Sequence, residues 1–175
     1  SFWHLLKEKR IVIPIIQRDY AQGRIGKEYL RQRFLGQLLC ALKTDTPESK
    51  LVLDFVYGST EGNILYPLDG QQRLTTLWLL HWYLALRAGA LDEDGQTLRN
   101  FSYETRTSSR IFCDNLCKIK ASYKPETDDV VSFIRNQRWY YSSYDQDPTI
   151  QSMLCMLGGS GMEGKSDGIE KMFSF

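Results

Sequence analysis

The chain has 175 residues, 42% hydrophobic and 13% aromatic, with a formal net charge of +1. That length supports one ordinary domain, or a compact lobe with a smaller packed appendage, and the composition supports a buried core. No apolar run approaches a membrane span and no signal-peptide pattern opens the chain, so a membrane partner is not expected and the expected compartment is the cytoplasm.

The chain starts at Ser1 and ends in Met172-Phe173-Ser174-Phe175, and it reads as a fragment of a longer protein. Charge is uneven. Between Lys7 and Arg33 stand eight Lys/Arg against three Asp/Glu, which suggests a local anion site more than a generic DNA-coating surface. The four cysteines lack paired-ligand spacing: Cys113 and Cys117 lie one helical turn apart, while Cys40 and Cys155 are isolated among apolar residues. With only His4 and His81 beside them, no zinc is expected, and buried free thiols fit a reducing compartment.

In chain order, residues 1–9 read as a short amphipathic helix with Phe2, Trp3, Leu5 and Leu6 on its apolar side. The β-branched run from Arg10 to Ile16 reads as a strand, and Pro14 within it argues for an edge position or a bulge. It ends in the polar cluster Gln17-Arg18-Asp19-Tyr20, and Gly23 and Gly26 flank Arg24 in a loop. A helix is predicted from about Lys27 to Lys43, with Leu30, Phe34, Leu38 and Leu42 as its apolar stripe. Leu51 to Tyr57 reads as a strand, residues 58–63 as a turn, and Ile64 to Leu68 as the hairpin partner.

Leu74 to Arg87 is apolar nearly all round and predicts a helix buried in the middle of the domain, with His81 a satisfied core histidine. Residues 89–95 read as an acidic turn region. Residues 101–110 are polar with interleaved aromatics, and Ser108 or Ser109 can cap a helix in which Ile111, Phe112, Leu116 and Ile119 pack inward. Thr127 and Asp128 precede a helical stretch from Val130 to Tyr141, and Asp147-Pro148-Thr149 starts a helix through Leu157. Residues 158–168 are Gly/Ser-rich and predicted mobile.

The chain is organised around Asp69-Gly70-Gln71-Gln72-Arg73, where the extended run to Leu68 hands over to the long helix. Gly70 permits a sharp turn, and the first helical N–H groups have no partner within the helix. With the helix dipole they offer a site for phosphate or carboxylate, to which Arg73 adds a bidentate guanidinium. Asp69 can cap the helix or hold a metal ion beside a bound phosphate. Gln71 and Gln72 can reach a base, a sugar or a water. The same residues also fit a plain turn, with Asp69 as N-cap and Arg73 on the surface.

Two stretches together carry a resemblance. Ile13-Pro14-Ile15-Ile16-Gln17-Arg18-Asp19-Tyr20 and Asp69-Gly70-Gln71-Gln72-Arg73-Leu74-Thr75-Thr76-Leu77 resemble the DGQQR family of ParB-like domains, the N-terminal part of GmrSD-type, modification-dependent restriction proteins of bacteria and archaea. Residues 103–110 and Asp147-Pro148-Thr149-Ile150 are similar to segments from a branch of that family. The resemblance implies an α+β fold: a ParB/sulfiredoxin-like core over residues 1–90, a helical extension of the same domain over 91–157, and a mobile segment with the start of a further element over 158–175.

It further implies that Gly70 and Arg73 contact nucleotide phosphate, that Asp69 helps with Mg²⁺ or water, and that Gln17 and Arg18 close the same pocket. Tyr20, Gln71 and Thr75 belong to the expected nucleotide-binding set, and Asp69, Gln72 and Arg73 to the expected catalytic set. Where many family members have an aromatic after the Gln-Arg-x-Tyr segment, Ala21-Gln22-Gly23-Arg24 stands here, and the base preference is left open. No His-Asn-His nuclease pattern is present, so the expected partners are a nucleotide, DNA for the full-length protein, and a C-terminal or separate nuclease domain.

Three functions remain open at this stage. The first is an NTP-binding, NTP-hydrolysing regulatory domain of an anti-phage restriction system, using NTP with Mg²⁺. The second is a switch that binds nucleotide or DNA without turnover, with the Lys7 to Arg33 segment and Arg99, Arg106, Arg110, Lys118 and Lys120 as the residues to track a phosphate backbone, unless they are only a solvated face. The third is a metal-dependent DNA nickase built on Asp69, Asp54 and Glu61. Arg106, Ser108, Ser109 and Arg110 form a possible second anion site at a helix start.

Overall fold

A computed structural model of the chain describes residues 1–14, 19–43, 53, 56–104, 106–159 and 167–173. Among these residues, eight α-helices surround a small mixed sheet of four strands, an α+β arrangement.

Helix α1 (Phe2–Glu8) is capped by Ser1, whose hydroxyl accepts from the His4 N–H at 3.3 Å. Lys9 leads into β1 (Arg10–Ile13), which lies inside the sheet. The hairpin strands β2 (Gly58–Glu61) and β3 (Ile64–Pro67) pair antiparallel, and β3 runs parallel to β1. On the other side of β1 comes β4 (Phe101–Tyr103), also parallel, giving the order β2-β3-β1-β4. The expected edge position for the Pro14 strand is therefore corrected: β1 stops at Ile13, so the proline removes no donor from the ladder.

The hairpin sits one segment later than expected. Glu61 pairs with Ile64 across the two-residue turn Gly62-Asn63, and the supposed turn residues 58–61 are themselves a strand. All four β2 residues are exposed, so no alternation of apolar and polar side chains marks them. Val56 and Tyr57 lie outside any strand, while residues 51, 52, 54 and 55 fall outside the described residues.

Helix α2 (Glu28–Lys43) buries Arg31, Phe34, Leu35 and Leu38, whereas Leu30 and Leu42 are exposed. A four-residue repeat drifts about 40° per step around a helix of 3.6 residues per turn, so the ends of the expected stripe swing off the core.

The core is built on α3 (Gln71–Arg87). Trp78, Leu79 and Trp82 are fully buried in it, and both indoles are satisfied: Trp78 donates to the Leu98 carbonyl at 2.9 Å and Trp82 to that of Leu116 at 3.0 Å. His81 is satisfied as expected, but it is half-buried and not part of the fully buried core. Its Nδ1 lies 2.8 Å from the Leu77 carbonyl, its ring stacks on Trp3, and burial holds its pKa below the usual histidine value.

The expected acidic turn is instead the start of α4 (Leu91–Leu98), where Asp92, Glu93 and Asp94 complement the helix dipole. The helix α5 (Thr107–Leu116) has Arg106 at its N-cap position, so Ser108 and Ser109 lie in its first turn and neither is the cap. Phe112, Leu116 and Ile119 are buried as expected, but Ile111 is 44% exposed.

Helix α6 (Val130–Arg135) is shorter than expected, ending well before Tyr141, and the Asp129 side chain caps it through the Ser132 N–H. After a 3₁₀ turn at Ser142–Gln146, α7 (Pro148–Gly158) begins at the expected Asp147-Pro148 signal. Residues 160–166, the middle of the expected mobile segment, lie outside the described residues; α8 (Ile169–Met172) follows. One buried cluster runs from Leu6 to Met172, with β4 completing the sheet of the amino-terminal part. Cys113 and Cys117 are buried thiols, and desolvation pushes Cys117 up to about 12; Cys40 is exposed, contrary to its apolar neighbours in sequence.

Candidate functional site

The start of α3 is entered through a glycine. Gly70 occupies the N-cap position with φ 81°, the left-handed region that favours glycine, and as a glycine it brings no side chain to cap the helix. A Cβ at Gly70 would meet Val56 Cγ2 at 2.6 Å and Arg73 Nη2 at 3.4 Å. The Arg73 guanidinium therefore folds back over the glycine. Asp69 is not the cap; its carboxylate is 61% exposed and lies 3.9 Å from Arg73.

The two glutamines of the motif are turned toward the protein. Gln71 is buried and its amide donates to the Pro67 carbonyl. The Gln72 Oε1 accepts from the N–H groups of Ala21 at 2.8 Å and Gln22 at 3.2 Å, and its Nε2 donates to the Asp19 carbonyl at 3.0 Å. One carboxamide thus fixes the main chain of residues 19–22 against the helix start. Thr76 adds a second tie: its hydroxyl lies 2.7 Å from the Tyr20 hydroxyl and donates to Gln22 Oε1 at 2.8 Å. Tyr20 is 1% exposed and burial raises its phenol pKa. Thr75, also buried, donates to the Gln71 carbonyl at 2.9 Å and meets the Tyr103 hydroxyl at 3.2 Å.

The clamped loop carries charge outward. Asp19 Oδ2 accepts from Arg24 at 2.8 Å, and Oδ1 accepts from Arg106, which also donates to the Thr149 hydroxyl at 3.1 Å. Ser108 donates to Asp147, whose other oxygen caps α7 through the N–H groups of Thr149 and Ile150 at 2.9 and 3.1 Å. The loop is held from beneath as well. The buried Arg31 donates to the Gly23 carbonyl at 3.0 Å and pairs with Asp167 at 2.5 Å. Gly23 packs so tightly on the Ser152 carbonyl of α7 that a Cβ there would overlap it.

The motif at residues 69–73 and the Arg106-Ser108 cluster are thereby joined, through Asp19, into one polar region. Arg110 is separate: it lines a different cleft with Arg10 and Arg99. Ser109 is fully buried, and its hydroxyl has no hydrogen-bond partner among the described residues. Gln17 and Arg18 lie outside the described residues, as do Asp54 and Thr105. Asp19 and Thr149 were not among the expected site residues. Their only sequence signal is position, since Asp19 sits inside the quoted Gln-Arg-Asp-Tyr cluster and Thr149 follows a helix-starting Asp-Pro.

Among the described residues, no group of three or more His, Cys, Asp or Glu side chains gathers to hold a metal ion, and no helix is long and apolar enough to cross a membrane. Glu61 stands exposed on β2.

No curated protein and no solved structure matches the chain. A family model does, that of the GmrSD restriction endonuclease N-terminal domain, over residues 2–158. That span holds β1, the Gln72 clamp, the Asp19 network and α7. The chain belongs to the GmrSD restriction endonuclease N-terminal domain family.

Proposed function

We propose that the amino terminus of α3 binds the phosphates of a nucleoside triphosphate, and that the chain is the nucleotide-responsive, NTP-hydrolysing part of a restriction endonuclease system. Its DNA-cutting function would reside in a separate or C-terminal nuclease domain. The observation that carries this reading is the pairing of Gly70 and Arg73: a helix start entered through a left-handed glycine that has no capping side chain of its own, with a guanidinium beside it. The N–H groups of a first helical turn and the helix dipole favour an anion at such a start, and an arginine fork matches two phosphate oxygens. A ParB/sulfiredoxin-like ancestry for the small sheet and its strand-to-helix loop is part of the same proposal.

In this reading Gln72 is a positioning residue. It holds the backbone of residues 19–22, the stretch that follows Gln17 and Arg18 in the sequence, against the helix start. Tyr20 and Thr75 serve the same end, as buried supports of the loop and of the first helical turn. Asp69 is the exposed acid beside Arg73, and it would hold Mg²⁺ together with phosphate oxygens. Hydrolysis requires water to attack the γ-phosphorus as the bond to the bridging oxygen breaks, and positive charge at Arg73 stabilises the developing negative charge.

A second reading is binding without turnover. It is favoured by the engagement of both glutamine carboxamides with main-chain groups, which leaves neither turned toward an attacking water. Phosphate release from the four common NTPs with Mg²⁺ separates the two. Turnover that is lost in Asp69→Asn while nucleotide binding persists supports hydrolysis; binding with no phosphate release by the native chain supports the switch.

A further inference from the structure

A cleft of about 510 Å³ opens on the far side of the sheet from the hairpin, where β1 meets β4. Three arginines line it from three places in the chain: Arg10 at the start of β1, Arg99 at the end of α4, and Arg110 in α5. All three are exposed. Asp114 is the one acid in the lining, and its carboxylate is shared. Arg99 donates to one oxygen at 2.7 Å and Lys118 to the other. Arg10 and Arg110 make no ion pair with any described residue. The cleft therefore presents an excess of positive charge held on rigid elements.

The rest of the lining decides what kind of anion fits. Gln96, Asn100 and Ser102 are polar, Phe101 is buried, and Ile111 is the exposed apolar residue. There is no exposed aromatic face among them on which a base could stack, which a free nucleotide or a single strand would use. Guanidinium forks without a stacking platform suit the sugar-phosphate backbone of a duplex.

We propose that the Arg10, Arg99 and Arg110 cleft is a backbone-phosphate contact for duplex DNA. It is distinct from the nucleotide site at Gly70 and Arg73 and does not rest on that reading. The membership of the chain in a restriction endonuclease family favours DNA as the duplex. Phosphate contacts of this kind position a protein on DNA without reading its sequence.

The test is fluorescence anisotropy with a labelled DNA duplex of about 20 base pairs between 50 and 200 mM KCl. It compares the native chain, Arg10→Ala/Arg110→Ala, and Lys124→Ala as an exposed basic residue outside the cleft. Each phosphate contact contributes about 0.9 to the slope of log affinity against log salt, so the double variant is expected to lose roughly 2 from that slope while Lys124→Ala leaves it intact. Thermal melts of each variant confirm folding. The proposal is overturned by no DNA binding at 50 mM salt, by an unchanged slope in the folded double variant, or by an equal loss in Lys124→Ala. Tighter binding of a duplex RNA of the same sequence would also overturn the assignment to DNA.

Discussion

The Gln72 carboxamide and the Asp19 main chain are bonded at 3.0 Å across 53 positions of sequence. That bond, with its companions to Ala21 and Gln22, makes residues 19–22 and the start of α3 one unit. Removing it should be costly. Gln72→Ala strips the partners from two part-buried N–H groups and one carbonyl, with an expected loss of about 2–4 kcal/mol in a urea unfolding titration. The same variant should weaken nucleotide binding although Gln72 touches only protein.

Gly70→Ala tests the left-handed helix entry. The φ of 81° and the Val56 contact act separately, so the substitution should cost roughly 1–2 kcal/mol for the backbone plus the cost of moving Val56. Pairing it with Val56→Ala should recover only the contact component. A double variant as stable as Val56→Ala alone would mean that the glycine is not required by its backbone angle.

Asp19 holds Arg24 and Arg106 together, with side chains about a third exposed. Asp19→Asn should therefore cost only about 0.5–1 kcal/mol in stability, as expected for partly solvated pairs. Its larger effect should be on the orientation of Arg106 and hence of the Thr149 end of α7, read by amide hydrogen exchange at Thr149 and Ile150. Unchanged exchange there would separate the two clusters.

His81 gives the fold a pH dependence. Burial lowers its folded-state pKa, so the unfolded chain binds the proton more readily. Its contribution to stability is present above the unfolded value of about 6.5 and is lost as pH falls through the folded one. His81→Phe keeps an aromatic ring against Trp3 and should flatten the decline in melting temperature between about pH 7 and pH 5. An unchanged decline would assign it to other groups.

Much of this was legible in the sequence because the signals were local or strongly periodic. The buried α3 follows from its unbroken apolar character, and α7 from Asp147 and Pro148 at its start. What escaped lacks such signals. β2 is polar and exposed on every residue, and β4 is three residues long, so neither shows a period. The Pro14 rule misplaced β1 because the strand ends one residue earlier. At the site, Gly70 and Arg73 could be singled out from residue types, but the inward turn of Gln71 and Gln72 could not. A glutamine offers the same donors and acceptors to a ligand as to a distant main chain, and only the fold brings residues 19–22 within its reach.

The most direct test of nucleotide binding at the α3 start is a thermal-stability titration of the chain with GTP, ATP, CTP and UTP. It is run with and without Mg²⁺, beside Arg73→Ala. At a hundredfold excess over Kd, a bound nucleotide should stabilise the fold by about 2.7 kcal/mol, raising the melting temperature by several degrees. The expected result is a rise with at least one nucleotide that disappears in a folded Arg73→Ala variant. A rise of the same size in that variant, or none with any nucleotide in the native chain, would contradict a phosphate site at Gly70 and Arg73.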